Sequence, residues 1–280
     1  MTTMTLGNVS LSVKDVSGQK KFYQEVIGLS VLKEEAGKVF LGIASTKEVL
    51  VTLIQLPEGK SERKVAGLYH LALLLPTRKD LSGILRHLLE IKAPLIGASD
   101  HGYSEALYLH DVEGNGIEIY WDKPREIWDI QPDGQIKGVT LEMKASEVLG
   151  LTMDATSKMP EGTKMGHVHL SVADFEKNEW FYQDILGMTL VDDLGGHARF
   201  FSVDGYHHHV GVNNWQGSYL ANREETDLGI LSYEMIWHNK ERFEQVKANM
   251  KQENLFKVEY DSQHFKGMDP NGILIEMILE

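Results

Sequence analysis

The chain has 280 residues, a formal net charge of −13, and hydrophobic and charged fractions of 42% and 25%, which are typical of a globular protein. The negative charge argues against a nucleic-acid or anionic-membrane partner, and no apolar run approaches the roughly 20 residues that span a bilayer. The sequence contains no cysteine, which excludes disulfides and thiolate metal sites. Because Met1 to Val13 also lacks the pattern of a signal peptide, we expect a cytoplasmic protein.

In chain order, the first predicted unit spans 5–57. It begins with an alternating strand, continues with a helix for which Asp15 is the expected N-cap and Gly28 the expected C-cap, and ends with further strands. The second unit spans 66–122 and repeats this order. Its strand covers 67–75 and its helix 79–90, and a turn ending at Gly114 precedes Glu118 by four residues.

A proline-containing connector at 123–164 separates the first two units from two more, at 165–215 and 228–280. The third unit repeats the first: residues 8–28 align without a gap to residues 167–187, at an offset of 159 (167 minus 8). The fourth resembles the second, because Glu276 also stands four residues after a turn glycine. The sequence therefore predicts an α+β chain of four βαβββ modules, with modules one and two forming a first domain (5–122) and modules three and four a second (165–280).

The chain has twelve histidines, several of which fall on predicted strands at matching places in the modules. His70 and His167 stand on the first strands of modules two and three, and Glu118 stands on the last strand of module two. His169 is two residues from His167 and shares its face. Two imidazoles and one carboxylate suit a divalent metal and leave coordination positions open. Each of these residues also fits the alternative of a hydrogen-bonded core or surface side chain that binds no metal.

The run His207, His208 and His209 follows a Gly205–Tyr206 turn. His209 lies four residues after Gly205, the place in module three that Glu118 holds in module two. On a regular strand, His207 would share its face and His208 would point away.

The strands GHVHLSV, YHHHVGVNNW, GLYHLALLLP and GNGIEIYW, together with the repeated module, resemble the vicinal-oxygen-chelate superfamily, which contains glyoxalases, bleomycin-resistance proteins and dioxygenases. Within it, they look like the short catechol 2,3-dioxygenase type. The resemblance implies cup-shaped mixed sheets around one metal. It also implies an acid/base role for His209 and substrate hydrogen bonding by Tyr108, and it allows a homo-oligomer.

The resemblance implies that modules pair as one with two and three with four. Only the pairing of two with three, however, gathers the full ligand set of His70, Glu118 and His167. We therefore expect modules two and three to share the metal, in one chain or across a dimer. The predicted activity is extradiol cleavage of a small aromatic diol by O₂ with Fe(II), although Mn(II), Zn(II) or Ni(II) would also suit the ligands. The alternatives are a glyoxalase-like metal-dependent isomerase or lyase, and a metal-free small-molecule binding protein.

Overall fold

The structure is a computed structural model that describes residues 2–59, 64–217 and 219–280, and it contains the four predicted modules. The strands of modules one and two are β1 (Met4–Val13), β2 (Ser30–Glu35), β3 (Lys38–Gly42), β4 (Val49–Gln55), β5 (Gly67–Leu74), β6 (Gly97–Asp100), β7 (Ser104–His110) and β8 (Gly116–Asp122). The strands of modules three and four are β12 (Lys164–Ser171), β13 (Thr189–Asp193), β14 (Ala198–Ser202), β15 (Val210–Asn213), β16 (Gly229–Trp237), β17 (Phe256–Asp261), β18 (His264–Met268) and β19 (Leu274–Leu279). The α+β class is confirmed.

Each module carries one helix after its first strand. These are α1 (Val16–Phe22), α2 (Arg78–Glu90), α4 (Phe175–Trp180) and α5 (Lys240–Gln252). The carboxylate of Asp15 accepts from the backbone N–H groups of Ser17 and Gly18, so the predicted N-cap is confirmed. In modules one and three the helix ends in a π-helical turn, Tyr23–Ile27 and Phe181–Ile185, which the sequence pattern does not distinguish from ordinary α-helix.

The four modules are distributed between two curled sheets. The nine-stranded sheet joins modules two and three in the order β11-β6-β7-β8-β5-β12-β15-β14-β13, where the edge strand β11 (Leu141–Glu142) comes from the connector. The eight-stranded sheet joins modules four and one in the order β17-β18-β19-β16-β1-β4-β3-β2. In both sheets the seam is an antiparallel pair of first strands, β5 with β12 and β1 with β16.

The expected domains, 5–122 and 165–280, therefore do not describe the sheets, because each sheet takes one module from each half of the chain. The physical reason is that an alternating pattern predicts a strand and its buried face but not the strand it pairs with. The expectation that modules two and three share one sheet agrees with the topology, and they do so within a single chain.

The connector has its own short elements: a 3₁₀ turn (Arg125–Ile127), β9 (Asp129–Ile130), β10 (Ile136–Lys137), β11 (Leu141–Glu142) and α3 (Ala145–Leu149). Strand β11 pairs antiparallel with β6 and extends the nine-stranded sheet. Arg86 of α2 donates to the carbonyls of Leu149 and Thr152, which ties the connector to module two. The connector is thus a structural part of that sheet.

The apolar side chains of both sheets and their helices form one continuous core. Its largest fully buried members include Trp237, Phe181 and Phe265. Among the described residues, no helix has the length and apolarity that a membrane crossing requires.

Candidate metal centre

Three buried side chains converge at the middle of the nine-stranded sheet. His70 lies on β5, Glu118 on the parallel neighbour β8, and His167 on the antiparallel neighbour β12. The Nε2 atoms of His70 and His167 lie 3.0 and 3.1 Å from the same Glu118 oxygen, Oε2. Among the described residues, these three form the one cluster of His, Cys, Asp or Glu able to surround a metal ion.

The distances within this cluster fit the ligands of a single divalent cation. With bonds of about 2.1 Å, neighbouring ligand atoms lie about 3.0 Å apart around an octahedral ion and about 3.4 Å apart around a tetrahedral one. The two Nε2–Oε2 distances match the octahedral value, and the 3.3 Å between the two Nε2 atoms lies between the two. The three ligand atoms can therefore occupy one face of the coordination sphere of a metal ion and leave its other coordination positions open.

The electrostatics of the cluster favour the protonation states that metal ligands need. Burial lowers the pKa of His167 to about 4, so its imidazole is neutral at pH 7. Burial opposes ionisation of Glu118, but the facing His167 and His70 rings outweigh it and hold the pKa of that carboxyl well below its usual range. Neutral imidazole and ionised carboxylate are the forms that coordinate a cation.

The cluster opens into a cavity of about 480 Å³. Apolar side chains from both modules and from the connector line it, namely Ile96, Val139, Leu194, Phe200 and Trp215. The described lining residues include no lysine or arginine, and the carboxylate of Asp192 is paired with Lys137 at 2.8 Å. The cavity has the size and mostly apolar lining of a small-molecule site.

Tyr108 lies on the cavity wall, as expected from the sequence, directly across from Glu118 in the β7–β8 pair. Its hydroxyl is 2.7 Å from Nε2 of His101, whose Nδ1 lies 2.9 Å from the carbonyl of Val139. A carbonyl only accepts, so Nδ1 of His101 carries a hydrogen, and a lone pair on Nε2 is the acceptor that the Tyr108 hydroxyl needs. His101 is therefore a partner of Tyr108 within the cavity.

The structure places His208, and not His209, on the cavity wall. The His208 ring is 4.1 Å from that of His167 between centroids. His209 is buried outside the lining, where its Nδ1 is 3.1 Å from the hydroxyl of Ser202. The expected face of His209 is thus wrong, because 203–209 is an irregular turn and regular alternation begins only with β15 at Val210.

His169 also lines the cavity, two residues from His167 on the same face of β12. Burial lowers its pKa well below the usual value, so the ring is neutral. Opposite it on β15 stands Gly211, where a Cβ would lie 3.0 Å from Cγ of His169. The absence of a side chain at position 211 thus makes room for the imidazole.

Glu276 and the two aromatic residues that follow Ile119 lie outside the cavity lining. Glu276 belongs to the eight-stranded sheet, where its carboxylate pairs with His264 and Lys266. Tyr120 is buried between the modules with its hydroxyl 2.7 Å from that of Tyr206, and Trp121 lies beneath the guanidinium of Arg78.

Comparison with known proteins agrees with this architecture. Residues 5–119 and 164–277 match the family model described as the Glyoxalase/Bleomycin resistance protein/Dioxygenase superfamily. The chain therefore belongs to this superfamily.

Among individual proteins, the chain is 35% identical to the catechol-2,3-dioxygenase of Bacillus subtilis (strain 168) over an alignment of 282 positions, which covers 98% of this chain and 97% of that one. Its fold is similar to a putative dioxygenase from Bacillus subtilis (TM-score 0.63, 12% identity, 99% and 86% of the two chains). It is also similar to glyoxalase I from Zea mays (TM-score 0.57, 14% identity, 98% and 92%). These two structures support the fold alone.

Proposed function

We propose that this protein is an extradiol ring-cleaving dioxygenase that acts on catechol-like aromatic diols with O₂ at a non-haem Fe(II) site. The observation that carries the proposal is the His70–Glu118–His167 cluster at the wall of a mostly apolar cavity. The similarity of this chain to a catechol-2,3-dioxygenase, over nearly the whole length of both proteins, supports the same reaction.

Fe(II), when bound by His70, Glu118 and His167, would supply open coordination positions for the diol and O₂. The remaining roles fall to side chains of the cavity. Two neutral imidazoles and one carboxylate around a divalent cation leave a net charge of +1, which favours a deprotonated diol. The apolar walls keep bulk water away from the ring.

His208 replaces His209 as the proposed acid/base group, because its ring lines the cavity next to His167. It would take a proton from a diol hydroxyl and return it to the ring-opened product. The proposed role of Tyr108 is to hydrogen-bond the substrate, with its hydroxyl oriented by His101. The net reaction adds both atoms of O₂ to the diol and needs no external reductant.

The proposal is tested by giving the Fe(II)-loaded protein catechol under ¹⁸O₂ and analysing the product by mass spectrometry. We expect a yellow ring-opened semialdehyde that carries both labelled atoms before exchange with water. A muconic diacid, or an unchanged diol with one Fe(II) per chain, would contradict the assignment. Isomerisation of a glutathione hemithioacetal in the same preparation would point to the glyoxalase-like alternative.

A further inference from the structure

His207 is the one member of the 207–209 histidine run with hydrogen bonds at both ring nitrogens to other side chains. Its Nε2 lies 2.8 Å from Oδ1 of Asp122, and its Nδ1 lies 2.8 Å from Nδ1 of His208. The His207 side chain is fully buried, whereas that of Asp122 is partly exposed. A row of hydrogen bonds thus runs from Asp122, the last residue of β8, through His207 to His208 on the cavity wall.

The hydrogen-bond partners constrain the positions of the protons in the row. A carboxylate only accepts, so Asp122 requires the hydrogen of His207 on Nε2. When His207 carries only this one ring proton, its Nδ1 has a lone pair, and His208 donates to it from its own Nδ1. The remaining nitrogen of His208, Nε2, is left with a lone pair.

Neighbouring side chains hold the row in place. The ring of Tyr103 stacks on His207 with 4.3 Å between centroids and 11° between planes, and Trp128 contacts the same ring edge-on at 5.3 Å. The hydroxyl of Tyr206 donates to the other oxygen of Asp122 at 2.8 Å. These contacts fix both the imidazole plane of His207 and the orientation of the carboxylate.

We propose that Asp122 and His207 are positioning residues that orient the His208 ring and set its tautomer, with the hydrogen on Nδ1 and the lone pair on Nε2. This inference rests on the proposed function, in which His208 receives the proton of the diol. It extends that function by assigning a task to two residues that line no part of the cavity. The arrangement follows the general logic by which a carboxylate fixes the tautomer of a catalytic imidazole.

Two substitutions of His207 separate hydrogen bonding from packing. His207→Asn places an amide oxygen near the position of Nδ1, where it can accept from His208, but removes the ring that stacks on Tyr103. His207→Phe keeps a stacked ring of similar size but provides no acceptor. We expect His207→Phe to lower kcat on catechol by about 10- to 100-fold with KM nearly unchanged, and His207→Asn to lose less. A purely structural role predicts the reverse order and would overturn the inference.

A second measurement does not depend on turnover. Nitrogen NMR of the full-length, metal-free chain labelled in its histidines distinguishes a protonated from an unprotonated ring nitrogen, and the His208 signals are those lost in His208→Gln. We expect a hydrogen on Nδ1 and a lone pair on Nε2, and mixed tautomers in His207→Phe. A hydrogen on Nε2 in the wild-type chain would refute the inference. Absence of catechol cleavage by the wild-type protein would refute the proposed function while leaving the tautomer result readable.

Discussion

The Nε2 atoms of His70 and His167 lie 3.3 Å apart although the residues are 97 positions apart in the chain and belong to different modules. This contact depends on the antiparallel seam between β5 and β12, which joins the second module to the third. The candidate metal centre is therefore a product of the module pairing, and disturbance of the seam should disturb the site.

Removal of any one of the three candidate ligands should abolish stoichiometric metal binding. In His70→Ala, Glu118→Ala and His167→Ala, two ligands remain, and we expect the affinity for Fe(II) or Mn(II) to fall by at least about 100-fold. Anaerobic dialysis followed by metal analysis measures the bound ion. The matched control is His238→Ala, because His238 is exposed and bonds Thr5 in the other sheet. Equal metal content in all four variants would show that His70, Glu118 and His167 do not form the metal centre.

His208 and His209 should respond differently to substitution. We expect His208→Gln to lower kcat by about 10²- to 10⁴-fold with little loss of bound metal, as for loss of a general acid/base group. His209→Gln should act mainly on stability, because His209 is buried against Ser202 and lies outside the cavity lining. Steady-state kinetics and thermal unfolding of both variants test this. Loss of turnover confined to His209→Gln would restore the assignment made from the sequence.

The histidine run shows where sequence reasoning reached its limit. The repeat located the modules, the helix caps and the three converging residues, because each of these follows from local pattern or repeated position. The pattern could not show that residues 203–209 leave the regular strand, so it gave His208 and His209 the wrong faces. It also missed the partnership of His101 with Tyr108, which depends on Val139 of the connector reaching the cavity.

The lining of the cavity predicts selectivity among diols. The described lining residues include no cationic side chain that could pair with a carboxylate on the substrate ring, and Phe200 and Trp215 offer apolar contact. We expect kcat/KM for methyl- or phenyl-substituted catechols to exceed that for carboxylated catechols by about 10-fold or more, since an unpaired buried charge is costly. Competition between the two classes in one reaction gives this ratio. A preference for the carboxylated diols would contradict the account of the pocket.

Gly166 is a point at which the seam and the metal centre meet. A Cβ at this position would overlap the hydroxyl of Tyr120 and come within 2.6 Å of its Cζ, and the Tyr120 ring lies against His167 at 4.9 Å between centroids. We expect Gly166→Ala to cost about 1–3 kcal/mol of unfolding free energy through overpacking, and to weaken metal binding. Chemical denaturation and metal titration measure the two effects. The control is Gly67→Ala on β5, where a Cβ meets nothing within 4 Å.

Asp269 should give stability an unusual pH dependence. Burial raises the pKa of this carboxyl to about 6, although hydrogen bonds from Asn271 and from backbone N–H groups oppose the shift. The folded chain therefore retains a proton that the unfolded chain releases near pH 4, so this contribution is lost as pH rises from about 4 to 6. Relative to Asp269→Asn, the wild-type unfolding free energy should fall by up to about 3 kcal/mol over that range. Denaturation of both proteins at several pH values measures the difference, and a rise with pH would contradict the prediction.

The pairing of modules was the part of the fold that the sequence left open. Alternation places Val168 and Leu170 in the core and His167 and His169 on the other face, but it does not identify β5 as the partner of β12. Only the requirement for a complete ligand set favoured that pairing. The chemistry of three side chains thus predicted the topology better than the order of the modules did.

The most direct test of the account is a parallel anaerobic Fe(II) titration of the wild-type protein and its His70→Ala and His167→Ala variants, followed by catechol and air. We predict one bound Fe(II) per wild-type chain and a yellow ring-opened product, and neither tight binding nor colour in the two variants. Full colour in either variant, or none in wild-type protein that carries one Fe(II), would contradict a shared dioxygenase centre between modules two and three.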